Sequence, residues 1–202
     1  MCWNETVSIQ TFLFAVIVFF IGLFNSFPIR KLIFMIIFSN IQLVEYFLWK
    51  NIHKPKLNSL ISKIGFFNIS LEPIGACLLI NNPTIRFYSI ILYLILFSIY
   101  MFLNYKNINF YTTINKKGFL SWESLHLNTN LEKYYASIWF LFFFGGIILS
   151  KDPFIIFISF FTLIITLLNI SKHYSLPSFW CSISNILWVY VLFYVIYKKF
   201  IL

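Results

Sequence analysis

Two acidic residues lie inside apolar stretches of this sequence, where an ionised carboxylate is costly. Glu45 follows Gln42 by three residues in the run from Ser39 to Trp49, so the two side chains share a face if this run is helical. Glu72 lies in another apolar stretch, four residues after Asn68. An ionisable group inside a bilayer costs about 2.5 kcal/mol or more, so by default it marks a functional site. The chemistry open to these groups is the binding of a small ligand or ion, or general base catalysis.

The composition explains which elements must position these groups. Hydrophobic residues make up 60% of the 202 residues and charged residues only 10%, whereas soluble domains have about 25% charged residues. Apolar stretches of about 20 residues are long enough to cross the hydrocarbon core of a bilayer as helices. We therefore predict one integral membrane domain over residues 1–202, with the lipid bilayer as its principal partner.

Seven apolar stretches predict an all-α fold, a polytopic bundle of transmembrane helices. Pro28, Pro83, Pro153 and Pro177 fall between the stretches, where a residue that cannot continue a helix is expected, whereas Pro73 falls inside the third. If the third stretch, the least apolar, lay on the membrane surface, the count would be six. The predicted spans cover residues 7–27, 29–49, 60–80, 84–104, 134–150, 154–171 and 178–198.

The third span has one face of small and polar residues. Gly65, Asn68, Glu72 and Gly75 recur at helical spacing. Small and polar side chains favour contacts between helices inside a membrane. We expect this face to point towards other helices.

The long connection from residue 105 to residue 133 predicts a short β-hairpin. Two β-favouring runs, 109–114 and 119–122, flank Asn115-Lys116-Lys117-Gly118, and Gly118 can adopt a positive φ. Residues 124–133 predict an irregular return or a short helix at the membrane surface.

Seven spans place the two chain ends on opposite faces of the membrane, here called side A (N-terminal) and side B. Glu45 and Asn185 then lie about 6 to 10 Å from side A, with Cys181 nearer to it and Glu72 near mid-depth. We expect Cys2, Trp3, Trp180 and Cys181 to form a rim on side A, with the hairpin above. The sequence predicts a polar pocket open to side A and lined by Gln42, Glu45, Asn68, Glu72, Cys181 and Asn185.

Each of these candidates also has a structural explanation. Glu45 can extend to the lipid headgroups. A neutral Glu72 can hydrogen-bond to Asn68 or to a backbone carbonyl that Pro73 leaves free. The two candidates in the last span can serve only to pack helices together.

The net charge of +9 comes from Lys and Arg residues between the apolar stretches. This pattern suits contact with anionic lipid headgroups, and no basic stripe or recognition motif indicates nucleic acid as a partner. Nine basic residues fall on side A and six on side B, which favours a cytosolic side A. Arg30 and Lys31 after the first span favour the opposite orientation, so the orientation stays open.

Cys and His residues show no spacing typical of a metal site, and no metal site is predicted. Neither a cofactor nor an oligomeric state follows from the sequence.

Three functions remain open from the residues alone. The first is a binder or transporter of a small ligand or ion. The second is a membrane-embedded enzyme acting on lipid, with Glu45 or Glu72 as general base and with a metal or clustered His ligands in its pocket. The third is a structural protein of a viral or cellular membrane, in which the helices pack without a cavity and Glu45 faces the headgroups.

Three short motifs stand out in the sequence: Met1-Cys2-Trp3-Asn4 with Ser8, Gln42-x-x-Glu45 with Trp49, and Trp180-Cys181. Together they resemble a family of small multi-pass membrane proteins encoded by bacteria and large DNA viruses. The chain departs from the family pattern at Asn4, where Ser is usual, and at Tyr46, where bacterial members often have Gly. The resemblance implies a seven-helix fold and a viral origin, in a viral or host membrane, and it implies no known activity.

Overall fold

The computed structural model describes residues 4–116, 118–169, 180 and 185–200, most of them helical. Within these residues, four stretches are long and apolar enough to cross a membrane: Glu5–Phe24, Ile29–Asn51, Pro83–Asn107 and Asn130–Leu149. The fold class predicted from the sequence, a transmembrane helical bundle with a short hairpin, is confirmed. The helices with described bounds are α1 (Glu5–Phe24), α2 (Ile29–Ser39), α3 (Ile41–Asn51), α4 (Pro55–Leu78), α5 (Pro83–Asn104), α6 (Asn130–Leu149), α7 (Pro153–Asn169) and α8 (Ile186–Phe200).

Contacts between helix ends show that the first two spans run in opposite directions and that α8 ends beside the end of α1. On side A, the Nζ atom of Lys50 lies 3.4 Å from Oε1 of Glu5. On side B, Lys198 donates a hydrogen bond to the carbonyl of Asn25, at 3.3 Å. The start of α1 and the end of α8 therefore lie at opposite ends of the bundle.

The second span consists of two helices, α2 and α3, which follow one another across a break at Asn40. The backbone N–H of Leu43 bonds to the Asn40 carbonyl, three residues back, which tightens the chain at this point. The Asn40 side chain donates to Oδ1 of Asn68 on α4, at 3.0 Å. The break is therefore held in place by a polar contact with the neighbouring helix.

Helix α4 lies at the centre of the bundle and packs against α2, α3, α5 and α6. Its four small and polar positions, Gly65, Asn68, Glu72 and Gly75, are all buried, which confirms the inward face predicted from their spacing. Outer helices instead present apolar side chains outwards, as Phe102 of α5 does with 90% exposure. Such a surface suits lipid rather than water.

The predicted hairpin is present on side A. Strands β1 (Thr112–Ile114) and β2 (Leu120–Trp122) pair antiparallel, and Gly118 in the turn has a φ of 79°. The return to α6 is irregular apart from one 3-10 turn over Glu123–Leu125. The side chain of Asn58 on α4 accepts from the Thr112 N–H at 3.0 Å and donates to the Thr112 carbonyl at 2.8 Å, so the hairpin is anchored to the bundle.

Candidate ligand-binding cavity

A cavity of about 290 Å³ lies among helices α4 to α7 and opens towards side A. Its walls are mostly apolar and aromatic, and residues 124–127 of the side A loop line its outer part. The wall residues are Ile69, Ser70 and Glu72 of α4, Tyr100 of α5, Glu132, Tyr135, Ala136, Trp139 and Phe140 of α6, Leu167 of α7, and Trp180.

Pro73 explains a hydrogen bond between helices α4 and α6 in one wall of this cavity. Proline has no N–H, so the carbonyl of Ile69, four residues earlier, loses its normal helical partner. The indole Nε1 of Trp139 donates to this carbonyl at 2.8 Å. Helix α4 continues through Pro73, and the bond ties α6 to α4 at the level of the cavity.

A second set of hydrogen bonds fixes the wall beside it. Tyr93 of α5 donates to the Ser70 carbonyl at 2.7 Å, and Tyr135 of α6 donates to the Ser70 hydroxyl at 2.8 Å. The Tyr100 ring stacks on the Tyr135 ring with centroids 4.1 Å apart. Helices α4, α5 and α6 are therefore joined by directional contacts, and the cavity wall is preorganised.

Glu72 contributes the buried carboxyl group of the cavity. The residue is only 3% exposed, and its Oε1 atom has no hydrogen-bond partner among the described residues. Asn68, one expected partner, bonds instead to Asn40 and to the Ile37 carbonyl. The carbonyl freed by Pro73, the other expected partner, is bonded by Trp139. One oxygen of this cavity-lining residue is thus buried without a partner among the described residues.

The mouth of the cavity is polar and acidic. Nε2 of His126 lies 3.4 Å from Oε2 of Glu123, and Glu132 accepts hydrogen bonds from the N–H groups of Asn128 and Thr129. The described lining residues include Glu72 and Glu132 but no Lys or Arg. A lining with acids and without Lys or Arg suits a ligand that donates hydrogen bonds or carries a positive charge better than it suits an anion.

Trp180 closes the wall formed by α7. Its indole Nε1 donates to the hydroxyl of Thr162 on α7 at 2.9 Å, and its ring stacks on that of Phe144 with centroids 5.8 Å apart. The cavity residue at this point is thus held in one orientation. Cys181, the next residue and a predicted site residue, lies outside the described residues. Cys2 and Trp3, the other members of the proposed rim, also lie outside them.

The remaining predicted site residues lie elsewhere in the bundle. Gln42 and Glu45 are completely buried in α3 and are not among the residues lining this cavity. Asn68 and Asn185 both contact the break between α2 and α3. Asn68 accepts a hydrogen bond from the Asn40 side chain, and Asn185 accepts one from the Ser39 hydroxyl at 3.4 Å. The structure thus brings Asn68 and Asn185 to one junction and places Glu72 at the cavity.

Sequence reasoning did not predict the aromatic cavity residues Tyr100, Tyr135 and Trp139. Aromatic residues make up 22% of the chain, so an aromatic side chain is too common to mark a site by itself. The spacing of Pro73 from Ile69 was the available signal, since it requires a hydrogen-bond donor from outside the helix. Among the described residues, no group of three or more His, Cys, Asp or Glu side chains is placed to hold a metal ion.

The helices and the cavity together define a class, that of multi-pass α-helical bundles with membrane-spanning helices and a cavity at one end of the bundle. Comparison of the chain with family models, with curated proteins and with solved structures found no match.

Proposed function

We propose that this membrane protein binds a small amphipathic molecule in the side A cavity, and that the ligand carries an amine or ammonium group on an apolar body. The observation that carries the proposal is the unused Oε1 atom of the buried Glu72 carboxyl group at this cavity. A buried polar group normally has a partner, and one without a partner is a candidate for bonding to a ligand.

The size and walls of the cavity support a small, largely apolar ligand. Ligand pockets in proteins are typically about 300 to 1,000 Å³ and mostly apolar, with a few placed polar groups. The cavity volume of about 290 Å³ lies just below that range, which limits the ligand to a small molecule. Aromatic side chains such as Trp139 and Tyr135 also favour a cationic group over a neutral one, because the ring faces are negative.

Close packing of α4 against α6 on the side B side of the cavity supports ligand binding rather than passage of a ligand to side B. A Cβ atom on Gly146 of α6 would lie 2.6 Å from the backbone carbon of Ala76 on α4, so the two helix backbones are in direct contact there. Transport to side B would require these two helices to separate.

Two observations favour a binding protein over a purely structural membrane protein. A structural protein is expected to pack its helices without a cavity and to direct Glu45 towards the headgroups. A cavity is present, and Glu45 is completely buried.

The test uses purified protein in a neutral detergent and follows thermal unfolding with three probes of equal chain length, octylamine, 1-octanol and octanoate. Octylamine should raise the unfolding temperature most and octanoate least, because only the amine supplies a positive donor to Glu72. The Glu72→Gln variant should lose the preference for the amine. Glu45→Gln is the matched control, since it replaces a buried carboxyl group that does not line the cavity.

A second pair of variants tests the location. Ala136 lines the cavity, whereas Ser137, the next residue, is exposed on the outside of α6. Ala136→Phe should fill the cavity and abolish the octylamine effect, and Ser137→Phe should preserve it. An equal octylamine effect in wild type, Glu72→Gln and Ala136→Phe would refute the proposed site.

A further inference from the structure

A second cleft lies at the opposite end of the bundle, on side B. It has a volume of about 710 Å³ and is formed where the connection from α1 to α2 meets the connection from α6 to α7. Three basic residues, Arg30, Lys31 and Lys151, line it together with a single acid, Asp152. This cleft shares no lining residue with the side A cavity.

The one acid in the cleft is already occupied. The Asp152 carboxylate forms an ion pair with Lys31, and its Oδ1 atom accepts hydrogen bonds from the N–H groups of Phe154 and Ile155 at 3.0 and 3.1 Å. Arg30 and Lys151 are exposed and have no ion-pair partner among the described residues. Two positive charges are therefore uncompensated in one cleft.

The start of α2 adds further donors to the same place. Its N-cap residue is Pro28, which provides no side-chain cap, and the N–H groups of Ile29 and Arg30 have no acceptor in the described part of the chain. Free N–H groups at a helix start carry a partial positive charge and bind anions. By contrast, the start of α7 in this cleft is capped by Asp152.

The position of the cleft indicates which kind of anion it binds. Ile29 in its wall and Leu149 just before the α6–α7 connection are exposed apolar residues, so surface suited to acyl chains adjoins the basic groups. Side B as a whole is also strongly basic and has one acid, Asp152. Its basic residues are Arg30, Lys31, Arg86, Lys151, Lys198 and Lys199. Clusters of this kind next to transmembrane helices attract anionic lipids.

We propose that the side B cleft binds the phosphate of an anionic phospholipid, with Arg30 and Lys151 contacting the phosphate and the acyl chains lying on the adjoining apolar surface. The N–H groups at the start of α2 supply further hydrogen bonds. This site is independent of the ligand proposed for the side A cavity.

The experiment measures lipid binding to the purified full-length protein in neutral detergent by native mass spectrometry. Phosphatidylglycerol and phosphatidylcholine with identical acyl chains are the lipid probes, and inorganic phosphate is the third. Wild type should prefer phosphatidylglycerol. The double variant Arg30→Gln/Lys151→Gln should bind it about 30-fold more weakly, the factor expected for two basic side chains at an anionic lipid surface.

The matched control is Lys106→Gln/Lys133→Gln, which removes two exposed charges on side A. It should keep the affinity of wild type, as should Glu72→Gln, which tests the other site. Arg30, Lys151, Lys106 and Lys133 are all exposed. Both double variants should therefore keep the unfolding temperature of wild type without lipid, which would show that they fold. Equal weakening in the two double variants, or no preference for phosphatidylglycerol in wild type, would overturn the proposal. Displacement of the lipid by millimolar phosphate would assign the cleft to a free anion and overturn the lipid as its occupant.

Discussion

The indole nitrogen of Trp139 donates a hydrogen bond to the backbone carbonyl of Ile69, 2.8 Å away on another helix. The carbonyl is available because Pro73 stands four residues later and has no N–H to offer. In the interior of a membrane such a group must find its partner within the protein, because the lipid supplies no hydrogen-bond donor. A helix irregularity in α4 is thus compensated by a side chain of α6, and that side chain also forms part of the cavity wall.

This relationship predicts a specific coupling between positions 139 and 73. Trp139→Phe should destabilise the protein by about 1 to 2 kcal/mol beyond the loss of packing, because the Ile69 carbonyl loses its donor. In a Pro73→Ala background the same substitution should cost less, since the new N–H can bond to Ile69. Unfolding in mixed micelles of the four proteins of this cycle measures the coupling.

Trp49→Phe is the control for that cycle, because the Trp49 indole nitrogen is buried without a hydrogen-bond partner among the described residues. Its cost should be the same with Pro73 and with Ala at that position. An equal cost of Trp139→Phe in both backgrounds would refute the role assigned to Pro73.

Two adjacent glycines of α6 should respond to Ala in opposite ways. A Cβ on Gly146 would lie 2.6 Å from the Ala76 carbon, and the backbone cannot move aside without separating α4 from α6. Gly146→Ala should therefore cost about 1 to 3 kcal/mol. Gly145 has nothing within 4 Å of the same position, so Gly145→Ala should add about 0.5 to 1 kcal/mol of stability through helix propensity.

Thermal unfolding of the two single variants in one detergent checks this difference. Destabilisation by Gly145→Ala of the same size as that by Gly146→Ala would mean that close approach of the helices is not the cause.

The hairpin on side A should detach when its anchor on α4 is removed. Asn58→Ala leaves both backbone groups of Thr112 without their partners in a buried position, at about 1 to 3 kcal/mol for each unsatisfied group. Trypsin cleavage after the exposed Lys116 should then become at least about tenfold faster, because cleavage follows the population of the open form. Mass spectrometry of the cleavage products measures this rate.

Asn51→Ala is the matched control for the anchor. The Asn51 side chain donates only to the Phe47 carbonyl of its own helix, so its loss should leave cleavage after Lys116 unchanged. A similar acceleration in both variants would indicate general destabilisation instead of hairpin release.

The alternating path of the helices predicts that the hairpin and the end of α8 lie on opposite faces of the membrane. Single cysteines at Thr113 and at Lys198, both exposed, would be introduced after the three native cysteines are replaced by Ser. In sealed vesicles of uniform orientation, a membrane-impermeant thiol reagent should label one of the two and reach the other only after permeabilisation. Labelling of both in intact vesicles would contradict the seven-span path.

Much of the architecture followed from the sequence alone, since it depends on local properties of the chain. Apolar length determines which segments can span a bilayer, and prolines such as Pro83 and Pro153 mark where helices begin. The hairpin followed from β-favouring runs around Gly118, whose positive φ is observed. The inward face of α4 followed from the spacing of its small and polar residues.

Only the tertiary structure decided which of the buried polar groups face a cavity. Glu45 and Glu72 each lie in an apolar stretch one helical turn after an amide side chain, yet Glu72 lines the side A cavity and Glu45 does not. The difference depends on which helices are neighbours. The sequence of an apolar helix in a bilayer says little about which helix packs against it, because this packing depends on shape and on a few interhelical hydrogen bonds. The contact between Trp139 and Ile69 is one such bond, and it joins residues 70 positions apart in the chain.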